Sequence, residues 1–176
     1  MRNSITGGIL AIVFTAVSLS AQVTKPTVPG VTNFVKLDTT IACAGATTPA
    51  AVVEVKKLGY ASIINLRQAS EAGANLDEEA AAAKAAGIRY VHLPFNTASP
   101  DPAIVEGFLK AVTDPANQPA FVHCASGNRA AALWMVKRLL VDGWDTDRAT
   151  SEATALGMTS PALKQFALDY ATAHKK

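Results

Sequence analysis

The chain has 176 residues, 49% hydrophobic and 17% charged, with a formal net charge of +2. This composition excludes a disordered chain and suits one domain with a sizeable core. The 16 basic and 14 acidic residues form no basic run, so nothing marks the chain for nucleic acid or an anionic membrane surface.

Residues 1–20 follow the three-part pattern of a secretory signal peptide: a short start with Arg2, the apolar stretch ILAIVFTAV, then small residues in SLSAQ. The apolar run falls short of the roughly 20 residues that span a bilayer, so cleavage near Ser20–Ala21 is expected. No cysteine follows to carry a lipid, and no later segment could cross a membrane. The mature chain is therefore expected to be periplasmic or secreted, with no membrane span after signal cleavage. Residues 21–32 read as a polar tether and 33–176 as the folded domain.

NFVKLD and TIACAG read as two short strands with Asp38 and threonines between them. TTPAAVVEVKKLG reads as a helix with Thr48 as cap, Pro49 in the first position and Gly59 at the end. YASIINLR is a buried strand, apolar enough to be covered on both faces. NLDEEAAAAKAAG is a helix in which Asn75 and Glu78 fit a capping box and Gly87 closes the last turn. IRYVHLPF is the next strand, NTASPDP a loop, and DPAIVEGFLKAVTD a helix. PAFVHC is a third buried strand. GNRAAALWMVKRLLVDG is a helix apolar on most of its surface, hence central, and two more helices close the chain. Strands alternating with helices predict an α/β three-layer sandwich, with a mainly parallel central sheet flanked by helices.

In such sheets ligands gather beyond the carboxyl ends of the strands. VHCASGNRA lies there, at residues 122–130. The turn after His123 can converge its backbone N–H groups on one point, and the following helix aims its positive end at the same place. Gly127 allows the unusual backbone angles this needs. Arg129 can fold back to grip a tetrahedral oxyanion. Cys124, at the base, would sit in a field that favours thiolate over thiol, which makes it a nucleophile beneath a bound oxyanion. His123 would position the loop rather than touch substrate. The bland reading is a buried small thiol at a strand end and an arginine in an ion pair; four such residues together favour a site.

At these residues the sequence resembles the cysteine-dependent dual-specificity-type phosphatases, and most of all the bacterial beta-lactamase hydrolase-like phosphatase-like family. AGATTPAAVVEVKKLGYASIINLR, AAAAKAAGIRYVHLPF, FVHCASGNRAAALW and LVDGWDTDRATSEATALGM are similar to family segments in the expected order. The resemblance covers roughly residues 33–170. It implies a dual-specificity phosphatase-like fold and hydrolysis of a phosphomonoester, either a small phosphorylated substrate or a phosphoprotein, without a cofactor. Cys124 would attack phosphorus and form a phosphocysteine. Arg129 and the N–H groups of Ala125, Ser126, Gly127 and Asn128 would hold the phosphoryl oxygens. Asp101 is the acidic residue in the loop where such enzymes carry a general acid; the competing reading is a helix-capping residue. Asp114, in a helix-ending turn, is a weaker alternative.

Two features depart from the family pattern. Four residues, not five, separate Cys124 from Arg129, and Ala130 stands where a hydroxyl residue often helps the thiolate leave. The shorter spacing also occurs in rhodaneses, which carry sulfur as a cysteine persulfide. Asn65 stands where their aspartate would be, however, and Trp144 falls too early for their closing motif. A non-catalytic protein that holds an oxyanion or phospho-ligand is the third reading. Cys43 is open to three roles: core residue, disulfide partner, or redox partner of Cys124. Arg67 reads as a surface arginine paired with Glu71, or as extra positive charge near the pocket. His92 reads as a packed or edge residue. The three histidines and two cysteines have no metal-ligand spacing, so no metal is expected.

Overall fold

A computed structural model describes residues 23–175; the expected signal peptide at 1–20 lies outside the described residues. The chain runs β1 (Val23–Thr24), β2 (Val35–Leu37), β3 (Ile41–Ala44), α1 (Val52–Lys57), β4 (Ser62–Asn65), α2 (Leu76–Ala86) and β5 (Arg89–His92). It continues through α3 (Pro102–Thr113), β6 (Ala120–His123), α4 (Asn128–Leu140), α5 (Thr146–Ala155) and α6 (Pro161–His174). Short 3-10 turns precede α1 and β6.

The strands form one sheet in the order β1-β2-β3-β6-β4-β5. β3, β6, β4 and β5 are parallel, while β1 and β2 add an antiparallel edge. The central strands are short and mostly apolar, and every residue of β3, β4 and β6 is buried. Two apolar layers cover them. On one face Cys43, Ile64 and Val122 pack with Phe108 of α3, Leu133 of α4, Ala153 of α5 and Leu163 of α6. On the other, Ala42, Ala44, Ile63 and Phe121 pack with Val52 and Val55 of α1 and Ala83 of α2. The expected three-layer, mainly parallel architecture is present. As its apolar composition predicts, α4 is central: residues 129–136 are buried without interruption, against α5 and α6.

Three local expectations change. Part of the stretch read as a tether, residues 21–32, is folded: β1 pairs Val23 with Leu37, and Val28 is buried. A two-residue strand leaves too little alternation for a sequence pattern to show. The capping box does not form, because Asn75 is left-handed (φ 45°) and its side chain caps nothing. Thr48 likewise makes no side-chain cap, although Pro49 opens its turn as expected.

Candidate active site

β6 delivers the loop. After His123 the chain leaves the sheet, turns through residues 124–127 and enters α4 at Asn128. The Cys124 N–H donates to the Ala44 carbonyl (3.2 Å), which fixes the cysteine's backbone to the neighbouring strand. Cys124 itself is buried. The Gly127 N–H donates to Cys124 Sγ at 3.1 Å. Gly127 has φ 97°, a left-handed backbone that side chains rarely adopt, and this conformation aims the N–H at the sulfur. The sulfur is therefore met by a backbone donor and by the start of a 13-residue helix.

The loop is braced from both sides. On the β3 side, Gly45 takes part in a bridge with Ser126, and the Ala46 N–H donates to the Ala125 carbonyl (3.0 Å). A Cβ at Gly45 would collide with the Thr32 side chain and lie 3.1 Å from the Ala125 carbonyl oxygen, so the close approach requires glycine. Asn33 Nδ2 donates to the Ser126 carbonyl (3.1 Å). On the far side, Asn128 Oδ1 accepts from the N–H groups of Thr159 (2.7 Å) and Ser160 (2.9 Å) at the start of α6. Ala125 and Ser126 stay exposed.

Arg129 is the second residue of α4, in its first turn, and its direction is set by buried acceptors. Nη1 lies 3.1 Å from each of the Leu66 and Phe95 carbonyl oxygens. Glu71 takes both terminal nitrogens, Oε1 at 2.6 Å from Nη1 and Oε2 at 2.7 Å from Nη2. The same guanidinium also reaches the Cys124 side chain, so the arginine and the thiol lie together at the loop. Burial opposes the charge on Arg129, but its hydrogen bonds to Glu71, the negative charge of Cys124 and Glu71 and a hydrogen bond to Cys124 outweigh it, so its pKa is raised. Burial would likewise raise the Glu71 carboxyl. The hydrogen bonds from Arg129 and the Gln68 N–H, the Arg129 charge and a bond from Arg67 overcome this and hold it down at about 2.

Sequence reading paired Arg67 with Glu71 correctly, with Nε 3.3 Å from Oε2. Arg67 is not a surface residue, however: it is only 4% exposed. Its guanidinium donates to the Ala72 and Gly73 carbonyls at 2.6 Å each, and so shapes the turn that carries Glu71 to Arg129. Glu71 itself was missed as a site residue. The available signal was the Arg67–Glu71 spacing; its other partner lies 58 residues away in sequence.

His123 points to the opposite face from Cys124. Its Nε2 lies 2.8 Å from Glu79 Oε1, and both side chains are wholly buried. The contact is close but poorly directed for a hydrogen bond, and His123 Nδ1 has no partner among the described residues. Glu79 Oε2 accepts from Asn65 Nδ2 (2.7 Å), and the Asn65 amide also donates to the Tyr90 hydroxyl (3.0 Å). Burial and the nearby Glu79 charge push the Tyr90 hydroxyl well above its ordinary range. Sequence reading did not single out Glu79; as the neighbour of Glu78 it looked like one more acidic residue in a helix's first turn.

The remaining candidates are placed as follows. Asp101 is exposed and caps α3, its Oδ1 accepting from the Ala103 N–H (2.9 Å). Asp114 caps the 3-10 turn before β6 in the same manner (2.8 Å to the Ala116 N–H). Cys43 pairs in register with Val122, so it shares a sheet face with Cys124, and both thiols are free. Burial, with negative charge at Cys124 and Glu152 adding to it, pushes the Cys43 thiol far above its ordinary value. His92 lies on the edge strand and bonds the Arg67 carbonyl through Nε2 (2.8 Å). Among the described residues no cluster of His, Cys, Asp or Glu could hold a metal ion.

A parallel sheet with a cysteine at one strand's end, a tight glycine loop and an arginine opening the next helix defines the dual-specificity phosphatase-like fold. Solved structures agree. The chain superposes on P. aeruginosa TpbA with a TM-score of 0.65 at 19% identity, covering 90% of this chain and 94% of that one. For the catalytic domain of the S. cerevisiae PP-IP phosphatase SIW14 the TM-score is 0.64 at 21% identity, covering 82% and 88%. The model of the phosphatase-like domain of beta-lactamase hydrolase-like proteins matches residues 33–141. The chain belongs to that family. A beta-lactamase hydrolase-like protein of Xylella fastidiosa is 30% identical over 127 residues, covering 71% of this chain; the match spans 28% of that protein's length.

Proposed function

We propose that this chain is an exported phosphatase that hydrolyses phosphomonoesters through a phosphocysteine on Cys124. The observation that carries the reading is the Gly127 N–H directed at Cys124 Sγ, beside an Arg129 held by Glu71. The Cys124 thiolate attacks phosphorus, and the S–P bond forms as the bond to the leaving oxygen breaks. The N–H groups of Ala125, Ser126, Gly127 and Asn128 and the Arg129 guanidinium carry the phosphoryl oxygens' charge. Asp101 gives its proton to the leaving oxygen. Water then attacks phosphorus and returns a proton to Asp101, the S–P bond breaks, and inorganic phosphate leaves the thiolate behind. His123 keeps the loop's strand in place from the opposite face. The substrate is a small phosphoester or a phosphoprotein. In support, TpbA has also been solved in complex with pTyr, and SIW14 is a PP-IP phosphatase.

A second reading, sulfur transfer through a Cys124 persulfide, is favoured by the four-residue spacing and by Ala130, buried and without a hydroxyl. One experiment separates them. The reduced protein and its Cys124→Ser variant are assayed with p-nitrophenyl phosphate, and in parallel with thiosulfate and cyanide. Nitrophenol release that the variant loses is the expected result. Thiocyanate formation without nitrophenol would overturn it in favour of sulfur transfer.

A further inference from the structure

The stretch between β1 and β2 does more than connect. Together with the loop between α5 and α6 it walls a cleft of about 660 Å³. That volume lies in the ordinary range for small-molecule sites, roughly 300–1,000 Å³. Ser126 and Asn128, which flank Gly127 in the phosphate loop, form its inner border. Lys25, Thr27, Asn33 and Thr159 supply polar groups around it, and Phe34 and Leu156 add apolar surface. Two of the polar side chains are already anchored to the loop. Asn33 holds the Ser126 carbonyl, and Thr159 is bonded to the Asn128 amide through both its N–H and its hydroxyl.

The charge in this cleft is one-sided. Lys25 is its only ionisable lining residue, is exposed, and makes no ion pair among the described residues. Among the described residues no carboxylate lines the cleft to repel an anion. The Arg129 flank differs: there Glu71 and the Leu66 and Phe95 carbonyls surround the guanidinium. An organic group bound beside the loop therefore meets apolar walls, hydroxyl and amide groups, and one free cation.

We infer that this cleft is the subsite for the organic part of the substrate, and that Lys25 selects phosphomonoesters carrying a second anionic group on that part. The inference rests on the phosphatase reading of the same loop. It assigns a specificity role to a segment outside the catalytic motif and outside the family match at residues 33–141.

The test compares 6-carboxy-2-naphthyl phosphate with its uncharged 6-carboxamide. The quantity read is the ratio of their kcat/KM values in the full chain and in Lys25→Met and Lys25→Glu. An exposed charge contact is modest, so the ratio is expected to fall about three- to fivefold in Lys25→Met. In Lys25→Glu it should fall further, and the wild-type preference should shrink in about 1 M salt, where screening reaches a few Å. A ratio unmoved by charge reversal overturns the inference. If the wild-type chain turns over neither ester, the phosphatase reading has failed, and the cleft is tested alone by amide NMR shifts with (6-carboxy-2-naphthyl)methylphosphonate. Shifts at Lys25, Thr27 and Thr159 that weaken in Lys25→Glu sustain the subsite. No shifts at those residues overturn it.

Discussion

Residues 123 and 124 are adjacent, yet they serve opposite faces of one sheet. Cys124 looks toward α3–α6, where its sulfur meets a backbone N–H and the Arg129–Glu71 pair at the edge of the core. His123 looks toward α2, where it meets the fully buried Glu79 and Asn65, with the half-buried Tyr90 beside them. The first face leaves donors free for an incoming anion. The second gathers its polar groups in the interior, away from the loop. The alternation of a strand thus sends two adjacent residues to separate faces.

The largest expected effect is on the supporting face. Glu79→Ala leaves the buried Asn65 and His123 without their acidic neighbour; a buried polar group left unsatisfied costs about 1–3 kcal/mol, and the space of the lost side chain adds to it. Urea unfolding measures this; a loss below about 1 kcal/mol would show that the network is dispensable. Next comes Glu71→Gln, which weakens the charge-assisted grip on Arg129, an interaction worth about 1.5–3 kcal/mol. It is expected to lower kcat/KM roughly 10- to 100-fold in the proposed reaction while the folded state persists. If kcat/KM is unchanged, Arg129 is positioned by the two carbonyls alone. The same carboxylate sets an acid limit. Its folded pKa, about 2, is below its ordinary 4.5, so its contribution to stability is present above about 4.5 and is lost as pH falls toward 2. In Glu71→Gln that part of the acid dependence should vanish from a pH series of melting temperatures.

Smaller effects sharpen the reactive face. Asparagine caps helices about as well as aspartate, so Asp101→Asn should change stability by less than about 0.5 kcal/mol. If Asp101 also protonates the leaving oxygen, the basic limb of the pH–rate profile flattens for esters with poor leaving groups; an unchanged profile reduces it to a cap. The least effect is expected at Cys43. It pairs with Val122, which places Cys124 diagonally, about 7–8 Å between Cα atoms for such neighbours, beyond the usual reach of a disulfide. A bridge between the two cysteines is therefore not expected after mild peroxide unless the backbone shifts. Over-oxidised Cys124 with no bridge in the mass spectrum would make Cys43 a core residue.

These residues also mark what the sequence makes legible. The strand–loop–helix at 120–140 is readable because its chemistry is contiguous: Cys124, Gly127 and Arg129 fall within six residues. The helices are readable from their apolar spacing and from the prolines and glycines at their ends. Glu71 and Glu79 are not, since each acts on a partner more than forty residues away, and helical or turn context alone makes an acidic residue look like a surface group. Arg67 shows the same blindness in milder form: the pairing was legible at four-residue spacing, but its burial was not. Asn75 fails as a cap for a local reason, since its left-handed backbone turns its side chain out of the role its identity suggests.

The Asn128 amide is a keystone between the two ends of the fold. It begins α4, borders the loop and holds the first backbone groups of α6, while Asn33 and Gly45 clasp the other rim from the amino-terminal third of the chain. The loop's outline is thus drawn by segments far apart in sequence. A chain lacking residues 159–174 would lose one of these clasps, so the proposed anion binding at this loop would serve as a readout of whether both are in place.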